Sequence, residues 1–500
     1  MDSRLEALDV CSWMNYLLFA MVILSGCSQP SANTPAEQCV NKDSANALMC
    51  YKQALEREPL RYTLAAEQRD GEVERRTYHL GSQVWSPEPG VTPASWSHDV
   101  DLYIPDHSLM ARALVVVNNG TRLPLPSDRT APDFSAEALS KIAKQTRSLV
   151  VSISDVPNQR LIYGADGVPR AEDDSVARSW RLFMESPRRR AELPLEIPMA
   201  AAVSRAMSLA QRELPTLSLQ HFAVTGVSKR AWASWLTAAV DPRVDAVVPF
   251  ALDFLNTQVV LHHIFKSYGE NWPIAFAPYY KEGIDQQLDA PQFGQLAQII
   301  DPLQYFSRVE GKARSMTKYI VNASGDDFFV PDNAIFYYDQ IGGEKALRML
   351  PNTSHAGVKS STTETLVTFM HRYQVGRALP KLQATLHHDN IGDSATVNVV
   401  LDEVPQQLRI WSASNVDARD FRYACGVRYA FNSVKIASKS SGAISIPISA
   451  PSTGWRAYFA EATMEDGMVV TSPVYILGSR TYPASAPSAT GSACRTLPGR

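Results

Sequence analysis

Ser228, Asp326 and His355 follow one another as hydroxyl, carboxylate and imidazole, and each lies just beyond an apolar run. A serine becomes a nucleophile when an imidazole takes its proton, and a carboxylate on the other ring nitrogen holds the imidazole in the needed tautomer. The segment "HFAVTGVSKRAWASWLTAAV" (221–240) reads as a strand, a sharp turn and a helix, with Gly226 two residues before Ser228. This is the setting of a nucleophile elbow, where the hydroxyl projects above a sheet and the helix start offers unpaired N–H groups. Arg230 stands where the second glycine of G-x-S-x-G would be, and a serine here is equally a favoured helix cap.

Two downstream stretches favour the chemical reading. "IVNASGDDFFVPD" (320–332) runs a strand into Gly325 and two acids; Asp326 is the first candidate for the carboxylate, with Asp327 and Asp253 as alternatives. "MLPNTSHAG" (349–357) places His355 in a loop before a closing helix, and histidine titrates near neutrality, as a general base must. A surface Gly-Asp turn and an incidental loop histidine are the plain readings of the same residues. The chain order serine, acid, histidine is the α/β-hydrolase order. His371 lies inside the closing helix, and His262 and His263 precede the acid. An oxyanion hole needs two N–H donors: the Lys229 backbone by position, and Asn119 or Gly120 after the strand at 113–118. Lys229 and Arg230 could attract an anion or pair with Asp241 or Asp253. Asn158 or Gln159 could bind a substrate carbonyl, and Glu172-Asp173-Asp174 a cation. No C-x-x-C or H-x-x-x-H spacing marks a metal site, and no cofactor is implied.

The surrounding elements suit this chemistry. "ALVVVNNG" (113–120), "SLVVSISDVP" (148–157), "VDAVVPFALD" (244–253) and "TKYIVNASGDD" (317–327) are short β-rich runs ending in turn residues. Helical patterns lie between them, including 135–146 with Ser135 as its cap and 200–214; 363–376 closes the series. Strands alternating with helices imply a mostly parallel sheet flanked by helices, over residues 60–378. Residues 254–312 are rich in aromatics and read as a helical insertion. From 379 to 480 short alternating runs split by Gly, Pro, Ser and Asn predict an all-β sandwich domain. Residues 481–500 read as a mobile tail.

The N-terminus carries "MNYLLFAMVILSGCSQP", an apolar core of signal-peptide length ending in Leu24-Ser25-Gly26-Cys27. It resembles a bacterial lipobox, with Cys27 as the lipid attachment site. Residues 1–27 are then leader and 28–59 tether, on a lipoprotein of the bacterial envelope anchored in the outer membrane and facing the periplasm. Export permits disulfides. The remaining cysteines suggest Cys39–Cys50 and Cys425–Cys494 among the alternatives. A net charge of -3 gives no basis for nucleic-acid binding.

Several blocks together, "SQVWSPE…ASWSHDVDLYIP" (82–105), "DVPNQRLIY" (155–163), "GVSKRAWASWLTAAVDPRVDAVVPFALDFLN" (226–256), "GDDFFVPDN" (325–333), "LPNTSHAG" (350–357) and "WSASNVDARDFR" (411–422), resemble the PhoPQ-activated pathogenicity-related proteins. The resemblance implies an α/β-hydrolase fold with a C-terminal β-rich domain. It makes Arg230 a family trait within G-x-S-K-R-G-W, with Ala231 in place of the glycine. It supports Ser228, Asp326 and His355 as a catalytic trio and supplies no substrate; the ordered trio itself predicts a serine hydrolase acting on an ester or amide of a small molecule or peptide. The alternative is a non-catalytic envelope or signalling protein that reuses the fold.

Overall fold

The structure, a computed structural model, describes residues 43–121, 131–308, 315–388, 394–436, 443–478, 480–489 and 491–500. The leader, Cys27 and Cys39 lie outside the described residues.

At the centre, six strands lie side by side and parallel in the order Leu149–Ile153, Arg112–Val117, His221–Val227, Val244–Phe250, Thr317–Ala323 and Lys345–Leu350. Their runs are continuously apolar because both faces are covered. Side chains alternate between the faces. Val115 and Val117 pack with helices Glu196–Glu213 and Lys229–Val240, whereas Leu114 and Val116 pack with Ala136–Thr146 and Thr362–Gln374. The Ser135 hydroxyl accepts the Ala138 N–H at 3.1 Å and starts helix Ala136–Thr146. This is an α/β-hydrolase sheet, and the aromatic-rich insertion forms short helices beside it, among them Thr257–Ser267 and Pro291–Ile300.

Antiparallel strands extend both edges, so the sheet is parallel at its centre and mixed as a whole. Arg61–Asp70, Val73–Val84 and Ser95–Pro105 continue one side. On the other, Lys345–Leu350 meets Val469–Thr471, and the sheet runs on through Trp455–Thr463, Gln407–Asn415 and Ala430–Ser433. A separate three-stranded sheet, Leu382–His388, Ser394–Leu401 and Ile444–Ser449, forms a second layer. Its Val397, Val399, Ile446 and Ile448 join Tyr458, Ala460 and Ala462 of the long sheet in one core, which also holds Leu366, Phe369 and Met370 of the closing helix. The region after 379 is therefore built on the hydrolase sheet and shares its core. A chain stopped at 379 is expected to be recovered aggregated, because it exposes this face and an unpaired strand edge; soluble yield and thermal melting check this.

Two sequence expectations need correction. The sequence predicts a tether to 59, but Ala47–Glu56 is a helix that buries Leu48 and sets Lys52 3.5 Å from Asp241. Apolar spacing at 48, 51 and 55 makes it amphipathic. The supposed mobile tail is docked: Thr496–Pro498 pairs with Asn271–Pro273, Arg500 pairs with Asp285 at 2.8 Å, and Cys494 is bonded to Cys425. Backbone pairing and a covalent link override the small, polar composition that suggested disorder. Cys50 is disulfide-bonded.

Candidate active site

Strand His221–Val227 turns into helix Lys229–Val240 through Ser228, whose φ of 56° and ψ of -125° are rare for a residue with a side chain. Such backbone strain persists only where the surroundings over-determine it. Here the Ser228 N–H donates to the Phe250 carbonyl at 2.8 Å. Gly226 is required for space, because a Cβ there would lie 2.6 Å from the Arg230 carbonyl carbon. Gly226→Ala is expected to cost roughly 1–3 kcal/mol through overpacking, read as a lower melting temperature.

The Ser228 Oγ lies 2.8 Å from His355 Nε2. His355 Nδ1 lies 2.8 and 3.0 Å from the two oxygens of Asp326. Asp326 Oδ1 also accepts the N–H groups of Phe328 at 2.8 Å and Phe329 at 3.2 Å, which fixes the carboxylate against the ring. Burial pushes the His355 imidazole down, but the Asp326 charge and hydrogen bond outweigh it and hold the pKa above the ordinary histidine value.

The alternative acids have other work. Asp327 is the neighbour of the acid that meets the ring; burial and the Asp326 charge push its carboxyl up, against the opposing pull of His355 and Arg422. Asp253 accepts the Tyr337 hydroxyl at 2.5 Å and is pushed well up by burial, then by Asp326 and Asp332. Adjacent acids cannot be told apart by composition; the loop's direction decides.

Of the expected oxyanion donors, Lys229 is the first residue of its helix, so its N–H has no intrahelical acceptor. Asn119 is a correction: its N–H donates to Asn118 Oδ1 at 3.1 Å, and its side chain bridges Ala131 and Asp133. Gly120 comes next, at φ 134°, beside the Asp155 N–H. Strand pairing of Val117 with Gly226 brings this turn alongside the elbow.

The cations flanking the serine are paired, though not with Asp241 or Asp253. Lys229 Nζ lies 2.8 Å from Glu172 and 3.2 Å from Asp173. Arg230 makes a two-pronged contact to Glu172 at 2.5 and 2.7 Å and donates to the Val156 carbonyl at 2.7 Å. Arg230 thus points sideways, which is how the elbow accepts a large residue where a glycine was expected. Burial alone would raise the Glu172 carboxyl; Arg230 and Lys229 overcome that and hold it well below the usual carboxylate range. Glu172 and Asp173 are therefore spent on the elbow rather than free for a cation. Asn158 binds both backbone groups of Ser97, at 2.9 and 3.0 Å, and Gln159 binds Glu172, so neither amide serves a substrate. Trp85, Trp96 and His98 are core.

A narrow cleft with room for only about 20 Å³ opens beside Ser228, lined by Trp232, Phe254, Phe276, Tyr279, Phe328 and Phe329. Sequence reasoning missed these rings as a group. Their signal was the aromatic density of 254–312 and the "FF" after the two acids, but the insertion's path over the sheet is not a local property. Among the described residues no cluster of histidine, cysteine or acid groups is placed to hold a metal, and no helix is long and apolar enough to cross a membrane.

The PhoPQ-activated pathogenicity-related protein family matches residues 48–422. The chain belongs to this family. A relative of the PhoPQ-related chain, autocrine proliferation repressor protein A of Dictyostelium discoideum, is 30% identical over 401 residues, covering 77% of this chain and 79% of that one. Solved structures similar to this PhoPQ-related protein include acetyl xylan esterase 1 of Thermoanaerobacterium sp. JW/SL YS485 (TM-score 0.41, 14% identity, 65% of this chain and 92% of that one). The acetyl xylan esterase of Paenibacillus sp. R4 is another (TM-score 0.42, 13% identity, 68% and 94%).

Proposed function

We propose that this protein is an exported serine hydrolase that cleaves an ester or amide bond. The observation carrying the reading is the continuous relay from the Ser228 hydroxyl through both nitrogens of His355 to Asp326. Neutral His355 accepts the serine proton at Nε2 as Oγ attacks the carbonyl, and the resulting imidazolium is stabilised by Asp326. The Lys229 N–H and helix dipole face the developing oxyanion, with Gly120 as the second donor. The imidazolium then protonates the leaving group, and water repeats the sequence in reverse. The aromatic rings beside Ser228 contact an apolar part of a small-molecule or peptide substrate. The leader exports the chain, and lipidation at Cys27 anchors it to the outer membrane on the periplasmic side.

A fluorophosphonate probe tests the site. The expected result is covalent labelling of the wild-type chain and none of Ser228→Ala; labelling that persists in the variant rejects the assignment. A second reading, a signalling or binding protein that reuses the fold, is favoured by the Dictyostelium relative, which is named a proliferation repressor. It predicts an unlabelled wild-type chain and partner binding that survives Ser228→Ala.

A further inference from the structure

The loops that carry Asp326 and His355 are both held from outside by one short stretch of the C-terminal region. Tyr423 donates its backbone N–H to the Gly325 carbonyl at 3.0 Å. The approach is so close that a Cβ on Gly325 would lie 2.6 Å from the Tyr423 nitrogen. Asn352, three residues before His355, donates its side-chain amide to the Tyr429 carbonyl at 2.9 Å and accepts the Tyr429 N–H at 2.7 Å. The two loops are also joined to each other, Gly325 N–H to Thr353 carbonyl at 3.0 Å and Asn352 N–H to Ser324 Oγ at 3.0 Å.

Cys425 lies between these two contacts and is bonded to Cys494. Buried Arg422 adds to that link, donating to the carbonyls of Ala493, Cys494 and Arg495 at 3.1, 2.7 and 3.3 Å. From there the terminus pairs with Asn271–Pro273, and the Arg495 carbonyl accepts the Ile274 N–H at 3.1 Å. Ile274 leads directly into Phe276 and Tyr279, two walls of the cleft beside Ser228.

We infer that the Tyr423–Tyr429 segment is a positioning brace for the acid and histidine loops, and that the Cys425–Cys494 disulfide couples it to the terminus holding the aromatic wall. Neither the segment nor the disulfide touches the reacting atoms. They act through Asp326, His355, Phe276 and Tyr279. Only the kinetic part of the test rests on the hydrolase reading.

The test uses the full chain in three forms: wild type, Asn352→Gly, and Cys425→Ser with Cys494→Ser. Glycine keeps the positive φ of 54° at 352 and removes only the amide contacts. Amide hydrogen exchange is the readout independent of catalysis. Asn352→Gly is expected to speed exchange in 324–330 and 351–357, and the disulfide variant to do so there and in 271–280 together. Turnover of an activated ester is expected to fall by up to about 10²-fold, as for misplacement of reacting groups by about 1 Å, with KM held. The acid limb of the pH profile moves to lower pH as the contact between the imidazole and Asp326 loosens. Asn352→Asp keeps the acceptor for Tyr429 and is expected to lie between. Exchange in both loops unchanged in Asn352→Gly and in the disulfide variant overturns the inference, whatever the kinetics. A wild-type chain that ignores the fluorophosphonate probe while exchange responds as described removes the hydrolase reading and leaves the brace standing.

Discussion

Ser228→Ala, His355→Ala and the double variant are expected to lose the same activity, on the order of 10⁶-fold in kcat for an activated ester. In the proposed mechanism the hydroxyl and imidazole act as one device: without the base the serine is a weak nucleophile, and without the serine the base has no proton to accept. The geometry fits that coupling, since a path from Oγ to a carboxylate runs across 2.8 Å to Nε2 and 2.8 Å from Nδ1. Initial rates on a nitrophenyl ester check it. Losses that multiply in the double variant would mean that the two residues act independently, and the relay would be wrong.

Asp326→Asn is expected to lower kcat by roughly 10⁴-fold and to move the pH profile. In the wild type, Asp326 lifts His355 above the ordinary histidine pKa of about 6.5. Activity needs the neutral ring, so it rises with pH through that elevated value. Asparagine removes the charge and leaves burial, which pushes the imidazole down. The acid limb therefore moves to lower pH while the plateau collapses, because the amide no longer selects the tautomer with a proton on Nδ1. Measured kcat/KM against pH separates this from simple unfolding, which would lower the plateau without that shift. The same substitution at Asp327 is expected to move the limb much less, since the charge and hydrogen bond that raise the imidazole come from Asp326.

The trio was legible because it obeys a rule of order and context: each residue follows a buried strand, and strand ends in a parallel sheet gather on one rim. What was not legible depends on distant partners. Arg230 stands where a glycine belongs in the motif, and the partner that holds it, Glu172, lies far upstream. Asn119 has the right position for an oxyanion donor, but Asn118, its neighbour, takes the N–H with a side chain whose direction no pattern encodes. The texture after 379 correctly announced strands; that Val469–Thr471 would pair with Lys345–Leu350 and carry the sheet across is a matter of register between remote segments. In the tail, one cysteine was the sole sign of order against a composition that spoke for none.

The pairing of Arg230 with Glu172 bears on how the protein behaves in acid. A carboxyl held well below its usual range contributes stability above the unfolded-state value and surrenders it only as the solution falls toward that depressed value. His355 gains its proton at far milder acidity. Between those two events the turn bearing the serine keeps its shape while the base is blocked, so mild acidification silences the molecule without dismantling it, and neutralisation should restore full turnover at once.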